Sequence, residues 1–278
     1  MSRLVCTASA AILAAWLAAD TAVSAPAAPV FSLDPGTGWV PDRPAGDDFL
    51  PPPSGPGPVV SVKDHPYVPN NVGQSTFRVA DLTNPILKPW AVEQMKKVND
   101  DVLAGKIPFT ARERCWPGGV PDFDIYERDR PVFIVQTAKE IVIINEHDAQ
   151  NRHIYLNVPH SANPKLSWYG ESVGHYEGDT LVVDTIGLND RTSVDNYRTP
   201  HTTQLHVVER FRLIEGGKKL EALITVEDPG TFNMKWSAVQ RWQRRDDRPL
   251  LELVCAENPN NYFHHDLRPL PSANKPDF

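Results

Sequence analysis

Cysteine is scarce in this sequence, and several familiar signatures are missing from it. Only three cysteines occur in 278 residues, and so few thiols cannot by themselves build a zinc site. No segment after the N-terminal region approaches the ~18 consecutive apolar residues of a membrane-spanning helix. There is no P-loop and no dinucleotide-binding fingerprint. The net charge of −7, without a long block of either sign, argues against non-specific nucleic-acid binding.

Residues 1–27 have the pattern of a signal peptide. Arg3 provides a positive start, residues 10–19 form a short apolar core, and small residues lead up to Ala27, where we predict cleavage. The apolar core is too short for a stable membrane anchor. We therefore expect a periplasmic or secreted protein with no membrane span. A short amphipathic start of a cytosolic protein is the alternative.

Cys6 lies within the predicted signal peptide. Its removal leaves Cys115 and Cys255 as an even pair in an oxidising compartment. We predict that they form a disulfide that ties the start of the folded domain to its last strand. Closing so long a loop stabilises the fold by on the order of a few kcal/mol in the chain-entropy model. Two buried free thiols are the alternative.

Proline content and apolar periodicity divide the chain. Residues 28–83 are punctuated by proline, which removes a backbone donor and fixes φ, and we predict an extended leader there. Residues 88–105 predict a helix with Pro89 in its first turn. Its apolar residues fall on one stripe: Ala91, Met95, Val98 and Val102. We assign residues 84–258 to one domain and residues 259–278 to a C-terminal tail.

Short strand-like runs follow the helix, separated by segments rich in Gly, Asn, Asp or Pro. They lie at residues 132–137, 141–146, 152–157, 168–176, 179–186, 204–213, 220–227, 235–244 and 250–255. No helical period appears among them. This pattern predicts a mainly β fold, specifically an antiparallel lipocalin-like (calycin-type) barrel with one flanking helix. Closure removes the exposed edges that such a meander otherwise presents.

Strand parity distinguishes Glu209 from the other acidic residues. Glu209 shares a face with four apolar residues of its run: Leu205, Val207, Phe211 and Leu213. A carboxylate on an apolar, inward face is costly unless it is paired or functional, and desolvation raises the pKa of such a group. We predict that Glu209 is a catalytic general base in the barrel mouth. A buried Glu–Arg or Glu–Tyr brace is the alternative.

Two loop histidines complete the predicted catalytic set. His160 and His201 each follow a proline in a loop beside a strand, where packing gives no reason for a histidine. We predict that they act as a proton shuttle or oxyanion partner for Glu209. No cofactor is expected. A divalent metal at His160 and His201 is the alternative, although their spacing matches no recognised ligand motif.

Four further residues are predicted to bind a substrate. Arg152 is an expected anion anchor, and Asp184 is a second acidic candidate on a strand. Tyr155 and Trp168 are expected to line an apolar or sugar-like pocket, although aromatic residues in a barrel also serve simply as core. Ser172 matches G-x-S-x-G, but its flanks are strand-like, so we attribute this match to chance.

Six stretches of the sequence carry a resemblance: IVQT (134–137), RHIYLNVPHSANPK (152–165), WYGESVGHYEGDTLVVDTIGLND (168–190), PHTTQLHVVERF (200–211), ITVEDPG (224–230) and LVCAEN (253–258). They resemble a large, uncharacterised family of exported bacterial proteins with the motif W-x-G-x-S-x-G-x-(W/Y)-E-G-D-T-L-V-V-(D/E)-T-x-G-x-N-D. The resemblance runs from about residue 84 to residue 258 and implies no activity. It implies only that certain residues fall inside recurrent motifs: Cys115, Arg152, Tyr155, His160, Gly178, Asp179, His201, Glu209, Cys255 and Glu257.

These features favour an exported barrel enzyme that acts on a small organic molecule, aromatic or carbohydrate-derived. The chemistry expected is acid–base catalysis of the lyase, isomerase or hydrolase type. Two alternatives stand beside it. One is a non-catalytic periplasmic barrel that binds a small ligand in the same pocket. The other is a cell-envelope interaction module that uses the proline-rich leader.

Overall fold

A computed structural model describes residues 28–31, 37–42, 49–63, 78–104, 116–121, 131–146 and 151–252. Within this part, nine strands form a closed barrel in chain order, accompanied by one α-helix. The elements are β1 (Gly38–Pro41), α1 (Pro89–Leu103), β2 (Val132–Gln136), β3 (Glu140–Asn145), β4 (Arg152–Leu156), β5 (Glu171–Glu177), β6 (Thr180–Ile186), β7 (His206–Ile214), β8 (Lys219–Glu227) and β9 (Trp236–Arg245). The predicted mainly β barrel is confirmed. The predicted signal peptide, disulfide and C-terminal tail lie outside the described residues.

The barrel is mixed, so the prediction of a purely antiparallel sheet is wrong. β4 and β5 pair in parallel, with Ile154 opposite Ser172 and Leu156 opposite Gly174. Parallel neighbours cannot be joined by a tight turn, because the chain must return to the end from which it started. Residues 157–170 make this return and are called the crossover below. Alternation of apolar and polar residues reveals strand faces but not strand directions, which is why the sequence did not indicate this pairing.

The strand that closes the barrel comes from the proline-rich stretch predicted as a leader. β1 pairs with β9 from Gly38 opposite Arg245 to Pro41 opposite Trp242, and Trp39 also pairs with Val132 of β2. The barrel therefore includes residues upstream of residue 84. A strand was also predicted at residues 250–255, but residues 250–252 are not in a strand, and the others are not described.

The helix matches its sequence pattern. Pro89 occupies the first turn, where a missing backbone donor costs nothing. Ala91, Met95 and Val102 of the predicted stripe are buried. The buried Asn99 side chain donates to the carbonyl of Ala80 and accepts from its N–H, both at 2.9 Å, and so fixes the helix to the preceding chain. No helix among the described residues is long and apolar enough to cross a membrane.

Alternate side chains of the strands point inward and form one hydrophobic cluster. Its largest members include Trp39, Trp236 and Trp242, each 1% exposed. Burial of such apolar side chains stabilises the fold by about 1.5–3 kcal/mol each. Where the strands are described, the interior is thus a packed core. The outward-facing side chains are mostly polar, and they carry the acidic and histidine clusters described next.

Candidate functional site

Glu209 faces inward from β7, as its parity predicts, and its side chain is 0% exposed. The guanidinium of Arg152, on β4, donates to both of its oxygens: Nη1 to Oε1 at 2.9 Å, and Nη2 to Oε2. The structure therefore brings two predicted site residues together, but as partners in a buried ion pair. This arrangement is the Glu–Arg brace that the sequence left open as an alternative.

Two hydroxyl groups also belong to this interior cluster. Arg152 Nη2 donates to Thr185 Oγ1 at 3.1 Å, and the hydroxyls of Thr185 and Ser172 lie 2.8 Å apart. Both hydroxyl residues are buried on neighbouring strands. Because Glu209 is held by a guanidinium within a packed core, a substrate cannot approach its carboxylate without displacing that partner. Ser172 of the G-x-S-x-G match lies within β5 and serves this cluster as a hydrogen-bonding group.

His201 is buried in a different network. Its Nδ1 lies 3.1 Å from the carbonyl oxygen of Thr202 and its Nε2 lies 2.9 Å from the Thr192 hydroxyl. A carbonyl can only accept, so Nδ1 carries the hydrogen and Nε2 accepts from Thr192, as a neutral ring allows. Burial lowers the pKa of His201 and so favours that neutral form. These two contacts hold the His201 ring between Thr192 and Thr202.

His160 lies in the crossover, where it contacts two carboxylates. Its Nδ1 is 3.0 Å from Glu171 Oε1 and its Nε2 is 2.9 Å from Asp184 Oδ1. Asp184, also a predicted site residue, projects from β6 on the outer face of the barrel, and its side chain is 39% exposed. His160 and His201 share no hydrogen-bond partner among the described residues. The structure therefore does not join the predicted catalytic trio at one place.

The contacts of His160 continue across the outer face of the barrel. Nε2 of His206, on β7, is 3.0 Å from the same Asp184 Oδ1. Nδ1 of His206 is 3.7 Å from Glu227 Oε2 on β8, which lies 2.6 Å from Lys235 Nζ. We call these six residues the outer array: Glu171, His160, Asp184, His206, Glu227 and Lys235. Along it, carboxylates alternate with the two imidazoles and the lysine ammonium.

Both ring nitrogens of His160 face carboxylate oxygens, Nδ1 toward Glu171 and Nε2 toward Asp184. Asp184 Oδ1 in turn contacts the Nε2 atoms of both His160 and His206. One carboxylate oxygen therefore links the two imidazoles across the outer face.

Glu171 connects the outer array to Ser161 of the crossover. The Ser161 hydroxyl donates to Oε2 at 2.6 Å and its backbone N–H donates to Oε1 at 2.7 Å. These hydrogen bonds, helped by His160, lower the pKa of Glu171 and favour its ionised form. Glu171, Ser161 and His206 were not among the site residues predicted from the sequence. A signal exists for His206, which stands directly opposite Glu227 once the β7–β8 hairpin register is known.

A cleft of about 540 Å³ lies between the outer face of β4 and the crossover. Tyr155, predicted to bind substrate, is 48% exposed in this cleft and stacks on His153, with ring centroids 6.4 Å apart. Its lining comprises Asn151, His153, Tyr155, Ser161, Asn163, Lys165, Ser167, Tyr169, Gly170, Glu171 and Ser172. The cleft exists because the parallel β4–β5 pair requires the chain to pass over the sheet.

Backbone contacts fix the crossover at its β5 end. The Ser167 N–H donates to the carbonyl of Gly187 at 3.0 Å, and the Asn189 N–H donates to the carbonyl of Ser167 at 2.9 Å. Gly170 has φ +62°, and a side chain there would collide with the Ile186 carbonyl. The crossover, which forms one wall of the cleft, is therefore held in place by its backbone contacts.

Trp168 does not line the cleft, although its two neighbours do. Its ring packs on Trp116, with centroids 5.3 Å apart, and the Arg191 guanidinium lies 5.9 Å from its ring centroid.

In the part of the chain that is described, no group of three or more His, Cys, Asp or Glu side chains is arranged to hold a metal ion. Comparisons with family models, curated proteins and solved structures gave no significant match to this chain.

Proposed function

We propose that this protein binds a small organic molecule, aromatic or carbohydrate-derived, in the cleft between β4 and the crossover. The observation that carries this proposal is the cleft itself: about 540 Å³, walled by the His153–Tyr155 stack and by amide and hydroxyl groups. Ligand sites combine an apolar or aromatic surface with a few polar groups that fix orientation. Tyr155 supplies the first, and Asn151 and Asn163 supply the second.

We also propose that the protein is exported and that its barrel has a lipocalin-like architecture. The signal-like pattern of residues 1–27 supports export to the periplasm or secretion, and no organic cofactor is invoked. The chain-order arrangement of nine strands with one helix supports a lipocalin-like architecture. The ligand site, however, is placed on the outer face, because the described interior is a packed core.

Binding is tested with phenyl β-D-glucoside, which carries both an aromatic ring and sugar hydroxyls. Saturation-transfer NMR on the full chain is expected to show the probe bound, with Tyr155→Ala weakening it at least about fivefold because the stacking surface is lost. Val135→Ala is the matched control, since Val135 is also 48% exposed on the outside of the barrel. Equal binding by wild type and Tyr155→Ala, or none by wild type, would contradict the proposal. Mass spectrometry of molecules that co-purify from native periplasm then identifies the natural ligand.

Acid–base catalysis is a second candidate function, favoured by one specific observation. His160 lies between Glu171 and Asp184, and Glu171 lines the cleft. Glu171 can therefore exchange a proton with a bound molecule while His160 supplies or accepts one behind it. Such a group supports lyase, isomerase or hydrolase chemistry.

Glu171→Gln separates the two functions. If the ligand is turned over, this substitution is expected to slow turnover by about 10²–10⁴-fold while leaving affinity nearly unchanged. If Glu171→Gln changes only affinity, the protein is a binding protein. Asp179→Asn, in the exposed β5–β6 turn, is the control for loss of a carboxylate outside the cleft.

A further inference from the structure

We infer that the molecule taken up by the cleft is an organic anion, a small carboxylate, and that Lys165 is the group that selects it. This inference rests on the proposed function and adds the charge of the ligand to it. Lys165 lies in the crossover, is exposed, and lines the cleft opposite the outer face of β4. A carboxylate is the common organic anion that one ammonium and neutral donors together can hold.

The other charged groups of the cleft have partners of their own. His153 Nδ1 is 2.6 Å from Glu140 Oε1. Glu171 accepts from the Ser161 hydroxyl and N–H, and His160 Nδ1 is within 3.0 Å. In the described residues, Lys165 has neither an ion pair nor a hydrogen bond. Lys165 is thus the charged residue of the lining without a partner of its own among the described residues, and an anionic ligand supplies one.

The neutral groups nearby are suited to the same ligand. Asn151 and Asn163 line the cleft with exposed side chains whose amide N–H₂ groups can donate. Tyr155 offers its phenolic hydroxyl and a ring surface. A carboxylate held by Lys165 and an amide therefore leaves the body of the ligand to pack on the Tyr155 ring. The Glu171 carboxylate opposes an anion, but both of its oxygens already accept hydrogen bonds from Ser161.

The selection is local. The net charge of −7 repels anions at long range, whereas salt screens exposed charges beyond about 8–10 Å. A single exposed ion pair is worth up to roughly a fivefold change in affinity. The expected preference for an acid over its neutral counterpart is accordingly modest, and it should weaken as salt increases.

Matched probe pairs test the inference: 4-hydroxybenzoate against 4-hydroxybenzyl alcohol, and glucuronate against glucose. We expect wild type to bind the acid of each pair about fivefold more tightly than its neutral partner, and Lys165→Gln to abolish that preference. Lys165→Arg keeps the charge and should restore most of it. Lys139→Gln, which removes an exposed lysine from the β2–β3 turn outside the cleft, is the matched control and should change nothing.

The outcomes separate this inference from the proposal beneath it. Equal affinity for acid and neutral probes, with both weakened by Tyr155→Ala, overturns the anion inference and leaves the cleft as a binding site. An acid preference unchanged in Lys165→Gln also overturns it. If neither these probes nor phenyl β-D-glucoside binds, the proposed function fails as well. Thermal unfolding of each variant confirms that the lysine substitutions leave the fold intact.

Discussion

The interior cluster and the outer array both place charged residues on strands β5 to β7 or beside them, but on opposite faces of the sheet. Inside, Arg152 and Glu209 are 0% exposed and neutralise each other. Outside, Asp184 and His206 are 39% and 34% exposed and form part of a chain that ends at the cleft. The difference teaches that side-chain chemistry alone does not identify a site. A closed pair in a packed core stabilises the fold, whereas a half-exposed network can exchange protons and contact ligands.

The largest effect is expected inside the barrel. Glu209→Gln leaves the Arg152 guanidinium buried without its counter-ion, which should destabilise the protein by about 3–5 kcal/mol in urea unfolding. The double variant Arg152→Met with Glu209→Leu removes both charges and should recover most of that loss. A single variant as stable as wild type would show that the pair does not act as a brace.

A smaller effect is expected at the outer array. Asp184→Asn weakens the contacts with both His160 and His206, but solvent screens this half-exposed site, so we expect a loss of about 1–2 kcal/mol. Hydrogen exchange should localise the change to the crossover and the β6–β7 strands. Asp179→Asn serves as the control. A loss as large as that of Glu209→Gln would erase the contrast between the two regions.

The burial of His201 should make the stability of the protein depend on pH. Burial lowers its pKa in the folded protein, so its contribution to stability is fully present above the unfolded value of about 6.5. As pH falls below that value the unfolded chain takes up a proton that the folded one resists, and stability is lost down to the folded pKa. His201→Gln should therefore reduce the loss of stability that occurs as pH falls below about 6.5, in urea unfolding compared at pH values above and below it. Parallel pH curves for wild type and variant would contradict the buried neutral assignment.

The smallest effect is expected at an exposed ion pair farther along the outer face. Arg210, on β7, donates to Glu177, the last residue of β5, and their side chains are 40% and 49% exposed. Arg210→Gln should leave the midpoint of urea unfolding almost unchanged, and any change should shrink in high salt. A larger effect here would mean that outer-face charges stabilise the barrel as strongly as the interior pair does.

The parts of this molecule that the sequence predicts are the local ones. Parity on one strand correctly placed Glu209 inside, and proline with an apolar stripe correctly located α1. The rest depends on contacts between distant segments. The parallel β4–β5 pairing sets the path of the crossover, and the outer array exists only because β5, β6, β7 and β8 align Glu171, Asp184, His206 and Glu227. No pattern within one segment encodes that alignment, and the proline-rich residues around β1 hid the closing strand.

The seam between β1 and β9 has a consequence for synthesis. β1 shares one residue pair with β2, so its main partner is the last strand of the barrel. At ~5–20 residues per second, the ribosome delivers β9 roughly 10–40 s after β1. During that interval the nascent chain carries two unpaired strand edges, which are templates for pairing with other chains. A chaperone that covers those edges would bind before the barrel closes. Closure pairs both edges and so removes its binding site.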